Sequence, residues 1–322
     1  MSKPVFYDPK RDGISQSVLG KWLCCRQLSR WELTGWSPKG VSLAMTNGTI
    51  GHAVLQYVYE GQRKKEIGAV PSSQQLKNII KLVEKIWLKE NPRANKDMLQ
   101  DLEFALLNAE VVLPIYFDYW KDDHKKILWE KLEGEFKIPY QTKDGRSTFI
   151  RGKMDGVFKR NGLWLFETKF KSMINDEDIL DTLSIDLQVC LYIWALEKGY
   201  KLCPSGVLYN VVRRPGLKIG ASESLPAFGQ RIAKDISKRP EFYFFRFEVA
   251  TEKSDIAKWL LEFEPMVVDF LNWWEGKVGH YKNTPNSCIT KYGRCRFLNA
   301  CVNGDMHSFQ KRGKVFSELE EV

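Results

Sequence analysis

No stretch of about eighteen consecutive apolar residues occurs in this 322-residue chain, so nothing in it reads as a membrane-spanning helix and no membrane partner is expected. An apolar leader is also missing. The first residues, MSKPVFYDPKRDG, are polar and charged where a signal peptide needs an apolar stretch, and an intracellular protein is expected. Internal repeats, low-complexity tracts and recognisable linkers are absent too, which favours one α/β unit over residues 1–322 with helical elaborations. Carboxylates are outnumbered: 49 Lys and Arg against 40 Asp and Glu give a formal charge of +9, a balance that suits partners carrying phosphate. Seven cysteines without a secretory signal argue against a disulfide framework and towards thiols that are free or bound to metal.

The apolar share of 43% is enough for a large core. From Ser15 or Ser17, VLGKWLCCRQLSRWEL reads as one amphipathic helix ended by Gly35 and Pro38. NGTIGHAVLQYVYEG reads as a glycine-rich turn leading into a helix that carries His52 near its start. Helical periodicity over 72–90 and 97–124 then makes roughly 50–125 a helical segment. Beyond it, GEFKIPY, TFIRGKMDGVF and LWLFETKF alternate with the turn signals TKDGR and KRNG, the pattern of an antiparallel meander. A helix in IDLQVCLYIWALEKGY, a strand in SGVLYNVV, a helix near 226–238, a strand in EFYFFRFEVA and a long helix over 253–275 complete the reading, with a catalytic core over 130–250.

Hydrolysis of a phosphodiester calls for a divalent cation held by carboxylate oxygens. Asp155 and Glu167-Thr168-Lys169 supply two acids and an ammonium, and hairpin register decides whether they meet. A two-residue loop at Asn161-Gly162 puts Asp155 and Glu167 on opposite faces. A three-residue loop, Arg160-Asn161-Gly162, sets them directly opposite each other, with Gly162 in the left-handed position, and this is the loop expected. Alone, Glu-x-Lys is an ordinary surface salt bridge. After a run as apolar as Leu163 to Phe166, such a charged trio calls for a function. Gln188 and Tyr192 lie one helical turn apart on the next helix, where Gln188 can orient a water or a phosphate and Tyr192 can stack or donate. His52 can ligate a metal as a neutral imidazole.

In this order, His52, Asp155 in GKMDG, Glu167-Thr168-Lys169 and Gln188-x-x-x-Tyr192 resemble the PD-(D/E)XK nucleases of the RecB-like branch, including the CRISPR-associated iron–sulfur exonucleases and related phage nucleases. The resemblance implies a restriction-endonuclease-like core of αβββαβ type, a mixed central sheet flanked by helices. It also implies Mg²⁺ or Mn²⁺ held by Asp155 and Glu167 with His52 and the Thr168 carbonyl, Lys169 steadying the attacking water or scissile phosphate, and Gln188 and Tyr192 in support. Glu135 is similar to an acid often found on the first strand, with Glu130 and Glu133 as competitors.

By the same resemblance, one cysteine before the core and three after it hold a cluster that fastens the chain ends together, here residues 15–35 and 276–305. LCCRQLSRW places Cys24 at the ligand position, with Cys25 the alternative, and Cys288, Cys295 and Cys301 follow. Cys288-x6-Cys295 is wider than the family's usual spacing. Four thiolates suit a [4Fe-4S] cluster or Zn²⁺. Cys190 and Cys203 read as small core residues. Basic residues accompany aromatics in YNVVRRPGLK and KYGRCRF, and Arg213, Arg214 and Lys218 become candidate contacts to DNA, single-stranded or with free ends. An exonuclease of recombination, repair or phage replication is implied, with a helicase or recombinase as partner and a bacterial host cytoplasm as its setting if phage-encoded. A structure-specific endonuclease and a non-catalytic DNA-binding module with a structural metal centre are the alternatives.

Overall fold

The computed structural model describes residues 6–40, 43–290 and 293–316. Its centre is a mixed sheet of β1 (Ile14–Ser15), β3 (Leu128–Gln141), β4 (Ser147–Lys159), β5 (Leu163–Lys171), β6 (Gly206–Arg213) and β7 (Phe244–Ala250). The expected meander is β3–β4–β5, antiparallel throughout. To it are added β6, parallel to β5, then β7, antiparallel to β6, while β1 runs parallel to the first half of β4. Small pairs outside this sheet join β2 (Trp36–Pro38) to β10 (Phe309–Lys311) and β8 (Ile289–Thr290) to β9 (Gly293–Arg294).

Side chains alternate across the strands, so each face builds its own core. Leu165, Val207, Tyr209 and Val211 point to a layer made by α2 (Gln16–Cys24), α9 (Leu187–Tyr200) and α12 (Lys253–Trp274), after the short α1 (Pro9–Asp12). Phe166, Leu208, Val212 and Phe244 point to α4 (Leu43–Arg63), α5 (Ser73–Glu90), α6 (Lys96–Tyr119) and α10 (Leu225–Lys238). The remaining helices, α3 (Arg26–Leu33), α7 (Lys121–His124), α8 (Asp176–Thr182), α11 (Pro240–Tyr243) and α13 (Leu298–Asn303), are shorter than the core helices. Among the described residues no single helix is long and apolar enough to cross a membrane.

Three local expectations are corrected. The N-terminal helix is broken at Cys25, whose extended backbone (φ −162°, ψ 116°) ends α2 and begins α3, so adjacent cysteines face different surroundings. Gly48 and Gly51 sit inside α4 rather than in a turn before it. At Gly51 the reason is steric: a Cβ would come 2.3 Å from the Phe170 ring, so glycine lets α4 lie directly on β5. Third, the strand expected in EFYFFRFEVA starts only at Phe244, because Pro240 opens a helical turn ahead of it.

Candidate active site

The hairpin between β4 and β5 has the three-residue loop. Lys159 pairs with Leu163 and Gly156 with Phe166, a register whose continuation sets Asp155 opposite Glu167. The left-handed residue in the loop is Asn161 (φ 51°), with Gly162 at φ 130°, which corrects the expected placement. The backbone ladder stops at Gly156 and Phe166. There the Asp155 carboxylate takes over the role of a strand partner, its Oδ2 accepting from the Thr168 N–H at 2.6 Å.

Glu167, Lys169 and Gln188 form a closed hydrogen-bonded triangle. Lys169 Nζ donates to Glu167 Oε1 and to Gln188 Oε1, each at 2.6 Å, and Gln188 Nε2 donates to Glu167 Oε1 at 2.8 Å. Gln188 can reach because Asp186 caps α9, accepting from the Gln188 and Val189 N–H groups and fixing the first turn beside β5. From the opposite side α4 brings His52, whose Nδ1 lies 3.4 Å from Asp155 Oδ1 and whose ring meets Phe170 edge-on at 5.4 Å.

Burial sets the electrostatics. The Glu167 side chain is 3% exposed, its Oε2 has no hydrogen-bond partner, and burial reinforced by the Asp155 charge pushes its pKa up to about 7. Burial pushes Asp155 up, but His52 and then Lys169 outweigh it and leave the carboxyl below its ordinary value. For His52, burial acts downward and the Asp155 charge more than reverses it. Burial likewise opposes the charge on Lys169, and the Glu167 and Asp155 carboxylates raise its pKa above the ordinary lysine value. Lys169 therefore stays an ammonium.

Of the three acids competing on the first strand, the structure selects Glu133 over Glu135. A left-handed backbone at Glu133 (φ 46°), between the Leu132–Gly156 and Gly134–Met154 pairs, turns its side chain towards Asp155. Burial and the Asp155 charge raise its pKa, and Lys153 Nζ stands 2.7 Å from its Oε2. Glu130 pairs instead with Lys159. A non-glycine residue with positive φ leaves no trace in strand periodicity, which is why spacing alone did not choose among the three.

Tyr192 lies one turn beyond Gln188, buried and packed edge-on against Phe136 at 5.7 Å, so its ring is not open to stack on a base. Arg213 ends β6 with its guanidinium over the Phe242 ring at 3.9 Å, Arg214 follows just beyond the strand, and both line a small cleft with Asn47 and Asn108. Lys218 is exposed in the following loop. In KYGRCRF, Lys291 and Tyr292 lie outside the described residues, and Arg296 is paired with Glu32.

Near the chain ends Cys25, not Cys24, turns towards the C-terminal thiols. Cys24 is exposed, whereas Cys25 is buried and its Sγ accepts from the Asn283 N–H at 3.5 Å. Burial, opposed by a Phe297 backbone hydrogen bond and aided by Cys301, Cys25 and Cys288, pushes the Cys295 thiol up, so these three lie near Cys295. Cys295 N–H donates to the Cys288 carbonyl, and Trp31 Nε1 to Cys301 Sγ at 3.4 Å.

As arranged, among the described residues no three His, Cys, Asp or Glu side chains are gathered closely enough to grip a metal ion. The donor chemistry of the sheet site nonetheless suits a hard cation: two carboxylates, an imidazole, and a buried Glu167 Oε2 with no partner.

An acid pair and a lysine across an antiparallel hairpin, backed by a helix glutamine, form a site suited to phosphodiester hydrolysis. A sequence profile of the PD-(D/E)XK nuclease superfamily matches residues 24–302, and the chain belongs to that superfamily. Membership implies a nuclease acting on DNA, and nucleases of this superfamily typically use Mg²⁺ or Mn²⁺. No curated protein matches. A solved structure described as "Crystal structure of SSO0001" shares 11% identity, covering 78% of this chain and 85% of its own, with a TM-score of 0.26, a likeness too distant to bear on the fold.

Proposed function

We propose that this protein is a Mg²⁺- or Mn²⁺-dependent exonuclease that hydrolyses DNA from free or single-stranded ends, resembling the RecB-like branch of its superfamily. The observation that carries the hydrolytic reading is the Glu167–Lys169–Gln188 triangle set beside the Asp155–His52 pair. Asp155, Glu167, His52 and the Thr168 carbonyl would hold the cation, which when bound polarises the phosphate and makes water acidic enough to attack it.

The protein's own groups then have separable tasks. Lys169, a permanent ammonium, acts as a hydrogen-bond donor and cation towards charge developing on the phosphate, not as a base. Gln188 holds both Lys169 and Glu167 Oε1, so it fixes the angle between the cationic and acidic halves of the site. Tyr192 supports the same helix face from within the core. Arg213, Arg214 and Lys218 are proposed contacts to the DNA backbone.

For the second metal centre the proposal is a [4Fe-4S] cluster, with Zn²⁺ as the competitor, on Cys288, Cys295 and Cys301. The fourth ligand is Cys25 in place of Cys24, because its Sγ faces the site. Recombination, repair or phage replication is the proposed setting, in a bacterial cytoplasm and alongside a helicase or recombinase.

End-labelled linear and closed circular single-stranded DNA, incubated with Mn²⁺ or Mg²⁺, test the reading. Loss of linear DNA alone is expected. Cutting of circles would establish a structure-specific endonuclease instead, and DNA binding without cleavage under either metal would leave a non-catalytic binding module.

A further inference from the structure

We infer that Lys171 forms a phosphate subsite next to the scissile position, taking the neighbouring phosphodiester of the bound DNA strand. The inference rests on the nuclease reading above and adds a residue and a contact to it.

Glu167, Lys169 and Lys171 are spaced by two along β5 and share the face covered by α9. Lys171 lies about 6.6 Å beyond Lys169 along the strand, a step comparable to that between adjacent phosphates of one strand. Its ammonium is half-buried over the Tyr209 ring at 5.3 Å from the centroid. Tyr209 itself stands beside Glu167 on the parallel partner β6.

No ion pair joins Lys171 to a carboxylate of the described residues. Asp186, the cap of α9, is the carboxylate whose charge acts on it, with both capping N–H groups on its Oδ1, and that charge is outweighed by burial and by Lys169. Burial, then the Lys169 charge, holds Lys171 below the usual lysine value.

Opposite Lys171 in the parallel β5–β6 register stands Arg213, a second cation, whose guanidinium lies over the Phe242 ring. Lys169, Lys171 and Arg213 thus make a run of positive charge leading away from the acids, at the strand ends where open α/β sheets bind ligands. An anion at Lys171 would offset the Lys169 charge that acts on it. Arg213 also lines an open groove with Phe242 and Phe245, but Asp176, Glu177 and Glu241 share that lining. The cationic run stops there, and one phosphate is what it fits.

The test uses the full chain and a fluorescent single-stranded oligonucleotide in EDTA, with affinity measured across a salt series. Lys171→Ala should weaken binding about tenfold, as loss of one charge-assisted contact does. It should also lower the slope of log affinity against log salt by about 0.7, the value of one single-strand phosphate. Lys171→Arg should restore most of both, and Lys85→Ala, on exposed α5, should change neither. In cleavage, Lys171→Ala should raise KM more than it lowers kcat, the reverse of Lys169→Ala.

Wild-type affinity and salt slope in Lys171→Ala would overturn the subsite. So would a fall in kcat with affinity intact, which would mean that Lys171 acts only through Lys169. Thermal denaturation of each variant separates these outcomes from loss of fold. Failure of the wild-type protein to bind DNA would instead remove the nuclease reading on which the subsite depends.

Discussion

Asn210 on β6 stands opposite Thr168 on β5 and donates from Nδ2 to its hydroxyl at 3.2 Å, fully buried. Thr168 is the residue between Glu167 and Lys169, and its N–H holds Asp155. Asn210 Oδ1 in turn accepts from Tyr116 at 3.1 Å and from Arg246 Nε at 3.1 Å. Arg246 continues to His124 and Asp123, so a buried polar chain runs from the helical segment to the strand that carries Glu167 and Lys169. A half-satisfied network of this kind is worse than none.

Asp123→Ala should therefore destabilise the fold strongly. Asp123 receives Arg246 and Arg160, and its removal leaves the Arg246 side chain, 4% exposed, without a counter-charge. The expected loss is about 3 kcal/mol, read by urea denaturation. A change under about 0.5 kcal/mol, the range of ordinary surface substitutions, would show that the network carries little of the stability.

Lys169→Ala should lower cleavage by about a hundredfold or more, the usual effect of removing a group that meets charge in the transition state. DNA binding should fall far less. Single-turnover rates together with anisotropy measurements decide this, and retention of full activity would remove Lys169 from the chemistry.

The metal-free protein should lose stability as pH rises from about 4.5 to 7. Glu167 has a folded pKa near 7, above its unfolded value, so the folded state holds this proton more tightly. Below the unfolded value both states are protonated and there is no penalty. Through the window the unfolded state ionises first and stability falls; above 7 the penalty is constant. His52, also raised, acts in the same direction as pH passes its folded value. Thermal melts in EDTA across this range should show the decline in the wild type and a smaller one in Glu167→Gln. Stabilisation by Mn²⁺ should grow towards neutral pH, because the cation needs ionised Glu167.

Cys25→Ala should abolish bound iron or zinc in anaerobically purified protein, whereas Cys24→Ala should retain it. Elemental analysis and the visible charge-transfer band read both variants. Equal metal content in the two would set aside Cys25 as a ligand.

Much of the site was legible because strand periodicity is strict. With a period of two, Glu167 and Lys169 must share a face, and loop length alone then decides where Asp155 falls. The helix carrying Gln188 and Tyr192 was likewise readable from its apolar spacing, though it runs past Gly199 and is closed by Lys201 in the left-handed conformation (φ 57°). The misplacements arose where local and tertiary preferences compete. Gly48 and Gly51 read as a turn because glycine disfavours helices, yet the Phe170 ring occupies the space where a Gly51 Cβ would lie. LCCRQ read as uninterrupted helix because nothing in its composition marks a break, yet Cys25 takes an extended backbone there.

The sequence by itself determined the order and register of the two strands carrying Asp155 and Glu167 and the presence of two acids and a lysine on one face. Those follow from chain geometry over a few residues. Tertiary structure decided what periodicity does not encode: that Glu133 rather than Glu135 turns to Asp155, and that Cys25 rather than Cys24 faces the distant thiols. It also set Lys171 against Arg213 and joined Asn210 to Thr168, because parallel strands are paired through a crossover helix whose length says nothing about which side chains it brings together.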